Sequence, residues 1–194
     1  MPWEKQFERG DVLQRALRVF WKRGYENSSL SLVLRGMGIR KGSFYATFNS
    51  KHTLFVEVLK SYIQQRFEAF EALRSGAPPL DALRRHLDDV LRESTGPDRF
   101  LGCFLVNCAT ERAPVDREVR EIVAATLRAH AAFYESLLED AKIRRLLPAS
   151  LDVSTSGSAL LGLVIAMRVC ARGGASAETL TAFRQQAEAL MTWR

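Results

Sequence analysis

Arg40, Lys41, Ser43, Tyr45 and Thr47 fall within eight residues and bring guanidinium, ammonium, hydroxyl and phenol donors together. Donors of these types suit phosphate oxygens and base edges rather than bond-breaking chemistry. They surround the start of a helical segment, Gly42 to Phe48, in which Phe44 and Phe48 share one face at i and i+4. The free N–H groups and dipole at such a start favour phosphate as well. Just upstream, Leu30, Val33, Leu34 and Met37 make a short helix that Ser28 or Ser29 can cap. Gly36-Met37-Gly38 supplies a tight turn, and Ile39 is an apolar residue to pack beneath it. Two short helices joined by a Gly-containing turn, the second exposing polar and basic residues, read as a helix-turn-helix.

Other chemistry is thinly represented. Gly36, Gly38 and Gly42 form GxGxxxG rather than the GxGxxG of dinucleotide loops, and no βαβ pattern follows. His52, His86 and His130 are scattered, none with a second histidine at i+3 or i+4, so no metal is expected. Neither a GxSxG nucleophile elbow nor a P-loop is present. Asp88-Asp89 and Glu139-Asp140 read as solvated faces of helices. No catalytic residue and no cofactor is expected, and the chain does not read as an enzyme.

Charge singles out the same region. The net charge of +6 lies wholly within residues 1–60, where 11 Lys/Arg face 5 Asp/Glu; the remaining 17 bases and 17 acids balance. A basic segment joined to a neutral one points to an anionic partner for the first and a separate task for the second. Cys103, Cys108 and Cys170 are an odd count without CxxC spacing, which fits a reducing compartment. The first eleven residues carry three acids and two bases and no apolar run, so no signal peptide is visible. The longest stretch free of formal charge is Val153–Met167, of which only nine residues, Ala159–Met167, are solidly apolar. About 20 are needed to span a bilayer. The expectation is a cytoplasmic protein with no membrane partner.

The elements that must hold this motif are helical throughout. Val12, Leu13, Ala16, Leu17, Phe20 and Trp21 form one helix face that ends at Gly24. A long run from Leu54 to Leu73 follows Ser50, a plausible N-cap, and stops at Gly76, Pro78 and Pro79. Leu80–Leu91, Gly102–Arg112, Asp116 to about Ala141, Asp152–Arg172 and Ser176 to about Thr192 repeat the helical spacing. No segment alternates with period two for long enough to be a strand, so the fold class is all-α. Leu160, Leu161, Val164 and Ile165, with Phe183, Leu190 and Met191, give the last two helices surplus apolar surface. Ser156, Ser158, Ala159 and Gly162 permit close approach, which predicts a C2 homodimer through a four-helix bundle.

Gly24-Tyr25, Ser28-Ser29-Leu30, Gly38 to Phe48 and Ser50-Lys51-His52-Thr53-Leu54-Phe55 together resemble the TetR/AcrR family of bacterial transcriptional regulators. Leu34 and Gly36 depart from the alanines common in that family's first motif helix, and Gly36 weakens the helix. The resemblance implies a helix-turn-helix DNA-binding domain over residues 1–52 and a helical effector-binding and dimerisation domain over residues 53–194. Its partners would be double-stranded operator DNA, a small-molecule effector and a second copy of the chain, and the usual action is repression. By that similarity Ser28 or Ser29, Tyr45, Thr47 and Lys51 match phosphate-contacting positions, and Arg40, Lys41 and Ser43 match base-reading ones. Phe67, Phe70, Phe104, Phe133 and Tyr134 lie on helices that would enclose the ligand. Gly102-Cys103-Phe104-Leu105-Val106-Asn107 resembles a branch in which a cysteine at this place senses electrophiles or oxidants, so Cys103 joins the candidate pocket. Two other readings stay open from the residues alone: a basic helical interaction protein without sequence-specific DNA binding, and an enzyme of unknown type.

Overall fold

The computed structural model describes residues 9–191. Nine α-helices and one 3-10 turn occur among them, and no strand. The helices are α1 (Arg9–Arg23), α2 (Leu30–Met37), α3 (Lys41–Phe48), α4 (Lys51–Gly76) and α5 (Pro79–Thr95), then α6 (Phe104–Glu111), α7 (Arg117–Ile143), α8 (Val153–Arg172) and α9 (Ala177–Ala189). Residues Arg99–Leu101 form the 3-10 turn before α6. Thr192, where the sequence pattern places the end of the last helix, lies outside the described residues.

Local chemistry sets the boundaries. Ser50 Oγ accepts the Thr53 N–H at 3.0 Å to cap α4, and Asp116 Oδ1 accepts the Val119 N–H at 3.1 Å to cap α7. Asp152 and Ser176 cap α8 and α9 in the same way. The turn of the motif is shorter than the glycine pattern implies: Gly36 and Met37 are the last residues of α2, and Gly38 alone is left-handed, at φ 71°. Glycine reaches that region without the Cβ clash other residues meet.

Two apolar clusters carry the packing. The first joins Phe20, Val33, Met37, Phe44 and Phe48 of α1–α3 to Leu54, Phe55 and Leu59 of α4. It also takes in Phe104, Leu105 and Cys108 of α6 and Val119 of α7. The second lies among α5, α7, α8 and α9 and is built from Leu83, Leu87, Phe133, Tyr134, Leu137, Leu138, Leu160 and Met167. α4 runs through the expected domain boundary at residue 52 and gives Phe55 to the first cluster and Phe70 to the second. The turn before α6 adds a polar joint. The Leu101 carbonyl accepts N–H donors from Trp21 at 3.0 Å, Asn107 at 2.9 Å and Arg172 at 3.0 Å.

α8 is twenty residues long, and its most apolar 18 residues have a mean hydropathy of 1.6, long and apolar enough by composition to cross a membrane. Its solidly apolar run is the nine residues Ala159–Met167, closed by Arg168. In this fold it packs against α5, α7 and α9.

Gly36 has a packing role as well as a helix cost. A Cβ there would lie 2.3 Å from Val19 Cγ2 on α1, and valine on a helix has little rotamer freedom to yield. Alanine would gain about 1 kcal/mol of helix propensity and lose about 1–3 kcal/mol to overpacking. Urea unfolding of Gly36→Ala should therefore show a net loss of about 1 kcal/mol, removed when Val19→Ala is added. A stabilised single variant would mean that α1 and α2 do not approach this closely.

Candidate nucleic-acid interface and effector cavity

α3 is anchored on one side and bare on the other. Phe44 and Phe48 are fully buried, with ring centroids 5.8 Å apart, and they hold the helix against α4 and α1. Arg40, Lys41, Tyr45 and Ala46 are exposed, while Ser43 and Thr47 are half-buried. Tyr45, 43% exposed, rests edge-on against Phe44, and the Lys41 ammonium lies 6.0 Å from its ring centre. Arg40 is the residue before the helix and caps it with backbone only, so its side chain is not engaged there. The structure thus gathers Arg40, Lys41, Ser43, Tyr45 and Thr47 around one helix start, with exposed donors and no acid in the first turn.

The two serines divide. Ser29 is exposed and caps α2, accepting the Leu32 N–H at 3.3 Å. Ser28 is fully buried, and its hydroxyl donates to the Gly24 carbonyl at 2.6 Å. Its place as a phosphate contact is corrected, because that hydroxyl closes the α1–α2 turn and cannot face DNA. Lys51 Nζ donates to the carbonyls of Tyr25 at 3.0 Å and Ser28 at 3.1 Å and sits 4.0 Å from the Tyr25 ring centre. Two of its three N–H donors therefore pin the same turn.

Opposite the motif, the α1–α2 turn is clasped by the end of α6. The Glu26 N–H donates to Glu111 at 3.0 Å, and Arg112 pairs with Glu26 and lies 4.3 Å from the Tyr25 ring centre. Arg112 also reaches Asp116 at 3.0 Å, which bonds His52 at 2.8 Å. Burial alone would raise the Asp116 carboxyl, but the Val119 N–H, Arg112 and His52 draw it below its ordinary value.

The expected effector residues separate into two groups. Phe70, Cys103 and Tyr134 line one cavity between α4, α5, α7 and α8. Phe133 stacks on Phe70 at 4.5 Å, and Phe67 lies edge-on to Phe70 at 5.9 Å, so both support the wall. Phe104 stands apart from that cavity: it is buried in the first cluster, about 6 Å from the rings of Trp21, Phe55 and Tyr62, and with Cys103 it lines a separate cavity beside α1. Sequence reasoning missed Tyr62, Arg66, His86, His130 and Arg168, which also line the cavity. Their separation along the chain hid them. The i, i+4 pair Tyr62–Arg66 was the one local sign.

Within this wall, Tyr62 Oη lies 3.5 Å from Cys103 Sγ, and His86 Nε2 lies 2.9 Å from Tyr134 Oη. Burial, reinforced by Arg66 and Arg168, pushes His86 down to about 3. Burial and Arg66 push His130 down to about 4. Burial raises the Cys108 thiol well above its ordinary value, which leaves that cysteine inert. Of the expected dimer residues, Leu160 and Met191 are corrected: both are 1% exposed and pack inside the protomer. Leu161, Val164, Ile165, Phe183 and Leu190 are half-buried.

The two histidines give a pH dependence with a definite sign. Unfolded, each takes a proton near pH 6.5; folded, each stays neutral to about pH 4 or below. Below about 6.5 the unfolded chain binds more protons, so this stability is full above that pH and is lost as pH falls. Each histidine should cost up to about 2 kcal/mol between about pH 6.5 and 5. Urea unfolding at the two pH values should show His130→Phe losing roughly 2 kcal/mol less than the parent. An unchanged acid loss would mean that His130 already takes its proton in the fold.

Comparison with known proteins agrees with both halves of this geometry. Residues 12–58 match the family model of bacterial regulatory proteins, tetR family, and residues 79–187 match the tetracyclin repressor-like C-terminal domain. The chain is 30% identical over 182 residues to the HTH-type transcriptional repressor ComR of Escherichia coli, covering 91% of this chain and 85% of that protein. It is 33% identical over 136 residues to the uncharacterized HTH-type transcriptional regulator YezE of Bacillus subtilis, covering 69% and 70%. A cysteine-substituted TetR family transcriptional regulator, CifR, solved with 26-base-pair double-strand operator DNA, superposes with a TM-score of 0.85 at 28% identity. That likeness covers 98% of this chain and 100% of the other. The chain belongs to the TetR family of bacterial regulatory proteins and is a DNA-binding transcriptional regulator.

Proposed function

We propose that the protein is a cytoplasmic homodimeric repressor that grips a two-fold-symmetric operator with one helix-turn-helix per half-site and lets go when an effector occupies the helical domain. The observation that carries this reading is the bare, acid-free start of α3, held by two buried phenylalanines. Arg40, Lys41 and Ser43 read bases, and Ser29, Tyr45, Thr47 and Lys51 hold phosphates. The residues 1–52 bind DNA, and the residues 53–194 take the effector and the second protomer. The effector is a small molecule in the cavity bounded by Phe70 and Tyr134, or an electrophile or oxidant acting on Cys103 at its edge. No catalytic role is assigned, in keeping with a family of regulators rather than enzymes.

The surface of α8 supports the homodimer. Only 28% of its most apolar stretch is buried within the protomer, and Gly162 and Val169 face outward. A surface this apolar on a helix calls for a cover, and a second α8 with its α9 supplies one by two-fold symmetry.

Gel shifts on DNA from beside the protein's own gene test the DNA reading. Lys41→Ala should cost roughly 1–3 kcal/mol per half-site on the specific site and little on random DNA. Lys51→Ala should weaken binding to all sequences and reduce the log–log salt slope by about 0.9 per phosphate lost. Unchanged affinity and slope in both variants would remove the motif from the binding surface.

Gly162 tests assembly cleanly, because no atom lies within 4 Å of a Cβ added there. Gly162→Glu should keep its helical content, sediment as a monomer and lose operator affinity, since half-sites at fixed spacing need two linked motifs. A variant that remains dimeric would place the interface elsewhere.

A further inference from the structure

The cavity beside α8 has a volume of about 40 Å³. At roughly 10–15 Å³ per water site, it holds about three waters, the space of a compact molecule of a few heavy atoms. Its wall is not simply apolar. Two arginines, Arg66 from α4 and Arg168 from α8, line it. Both share a single carboxylate: Arg168 Nη2 lies 2.5 Å from Glu93 Oε2, and Arg66 Nη1 lies 3.6 Å from Glu93 Oε1. Burial alone would raise the Glu93 carboxyl, but Arg168 and Arg66 draw it below its ordinary value, so it is ionised. Two cations against one anion leave one positive charge without a counterion; the Arg168 side chain is 10% exposed and that of Arg66 28%.

The other basic groups do not change this sum. His86 and His130 are neutral, and His86 is already bonded to Tyr134. His130 also lines the cavity, and its Nε2 is buried without a hydrogen-bond partner among the described residues. Phe70 lies edge-on between the two imidazoles, 5.0 Å from each, and one turn along α4 from Arg66 it gives the wall an apolar face. An uncompensated charge that is partly withdrawn from water is costly, and an anion that also covers an apolar surface relieves it.

We propose that this cavity takes a small organic monoanion, a carboxylate with a compact apolar body, its charge beside Arg66 and Arg168 and its body against Phe70. The proposal rests on the reading that the cavity is the effector site and names the chemical class that site accepts. A neutral molecule of the same shape leaves the guanidinium charge unmet and is rejected. A dianion brings one charge too many, since Glu93 already holds the other cation.

Isothermal titration of the full-length protein with acetate and with its neutral amide, acetamide, tests the class. Acetate should bind about tenfold more tightly, the worth of one charge-assisted hydrogen bond. Arg66→Gln should weaken acetate about tenfold, while Glu93→Gln, which leaves two cations unopposed, should tighten it about fivefold. Opposite shifts in the two variants cannot come from a shared folding defect. Equal binding of acid and amide, a preference for the amide, or no binding of either overturns the proposal. So does acetate binding that neither substitution moves, which places the anion elsewhere. A gel shift with the same probe separates the two readings: acetate bound in the cavity with operator still held upholds the anion class and overturns the effector role.

Discussion

The Leu101 carbonyl ties three parts of the chain to one point, with donors from Trp21 in α1, Asn107 in α6 and Arg172 in α8. A carbonyl oxygen has two lone pairs, so three donors within 3.0 Å must share them from different directions, and the backbone there has little freedom. Gly102 makes the arrangement possible. Its φ of 64° turns the chain away at once, and a Cβ at that position would meet Arg172 Cδ at 3.2 Å. The next residue, Cys103, stands at the head of α6 and on the edge of the cavity that Phe70 and Tyr134 line. A shift of this turn therefore has consequences in α1 and in the cavity together.

Apolar packing fastens the same junction from inside. Phe104, one residue further on, is 2% exposed and sits among Trp21, Phe55 and Tyr62, so α6 is rooted in the core of the motif helices. At the far end of α6, Glu111 and Arg112 hold the α1–α2 turn that Lys51 holds from the other side. Tertiary contacts with two discrete arrangements are what carry coupling between sites. In this fold the short helix α6 touches α1 at one end and the α1–α2 turn at the other, and it packs against α4 and α7.

The protein uses basic residues in two opposite settings. At the start of α3, Arg40 and Lys41 are exposed to solvent, where a charge costs little and polyanionic DNA can replace the solvent. Arg168, 10% exposed, is affordable only because Glu93 lies beside it, and sharing that carboxylate with Arg66 leaves the local charge incomplete. The +6 net charge of the chain is a property of residues 1–60, and the charge that shapes the cavity is invisible in it.

Helical content, the placement of nearly every helix and the motif of α2 and α3 were legible in the residues, because they depend on i, i+3 and i+4 spacing and on caps within four residues. Val12 to Phe20, Phe44 with Phe48, and Ser50 before α4 declare themselves locally. The exposed face of α3 follows from that spacing too, since anchoring two phenylalanines forces their neighbours outward. Spacing could not decide between Ser28 and Ser29, because a single turn of backbone buries one hydroxyl on Gly24 and leaves the other free to cap. Nor could it separate Phe104 from Phe70, or Leu160 from Leu161, since each pair is apolar and only the packing of distant helices assigns them to a core, a cavity or an outer face. The cavity's polar wall was the least legible part. Arg66, His86, His130 and Arg168 come from four helices, and they influence one another across a shared space that exists only once those helices have packed.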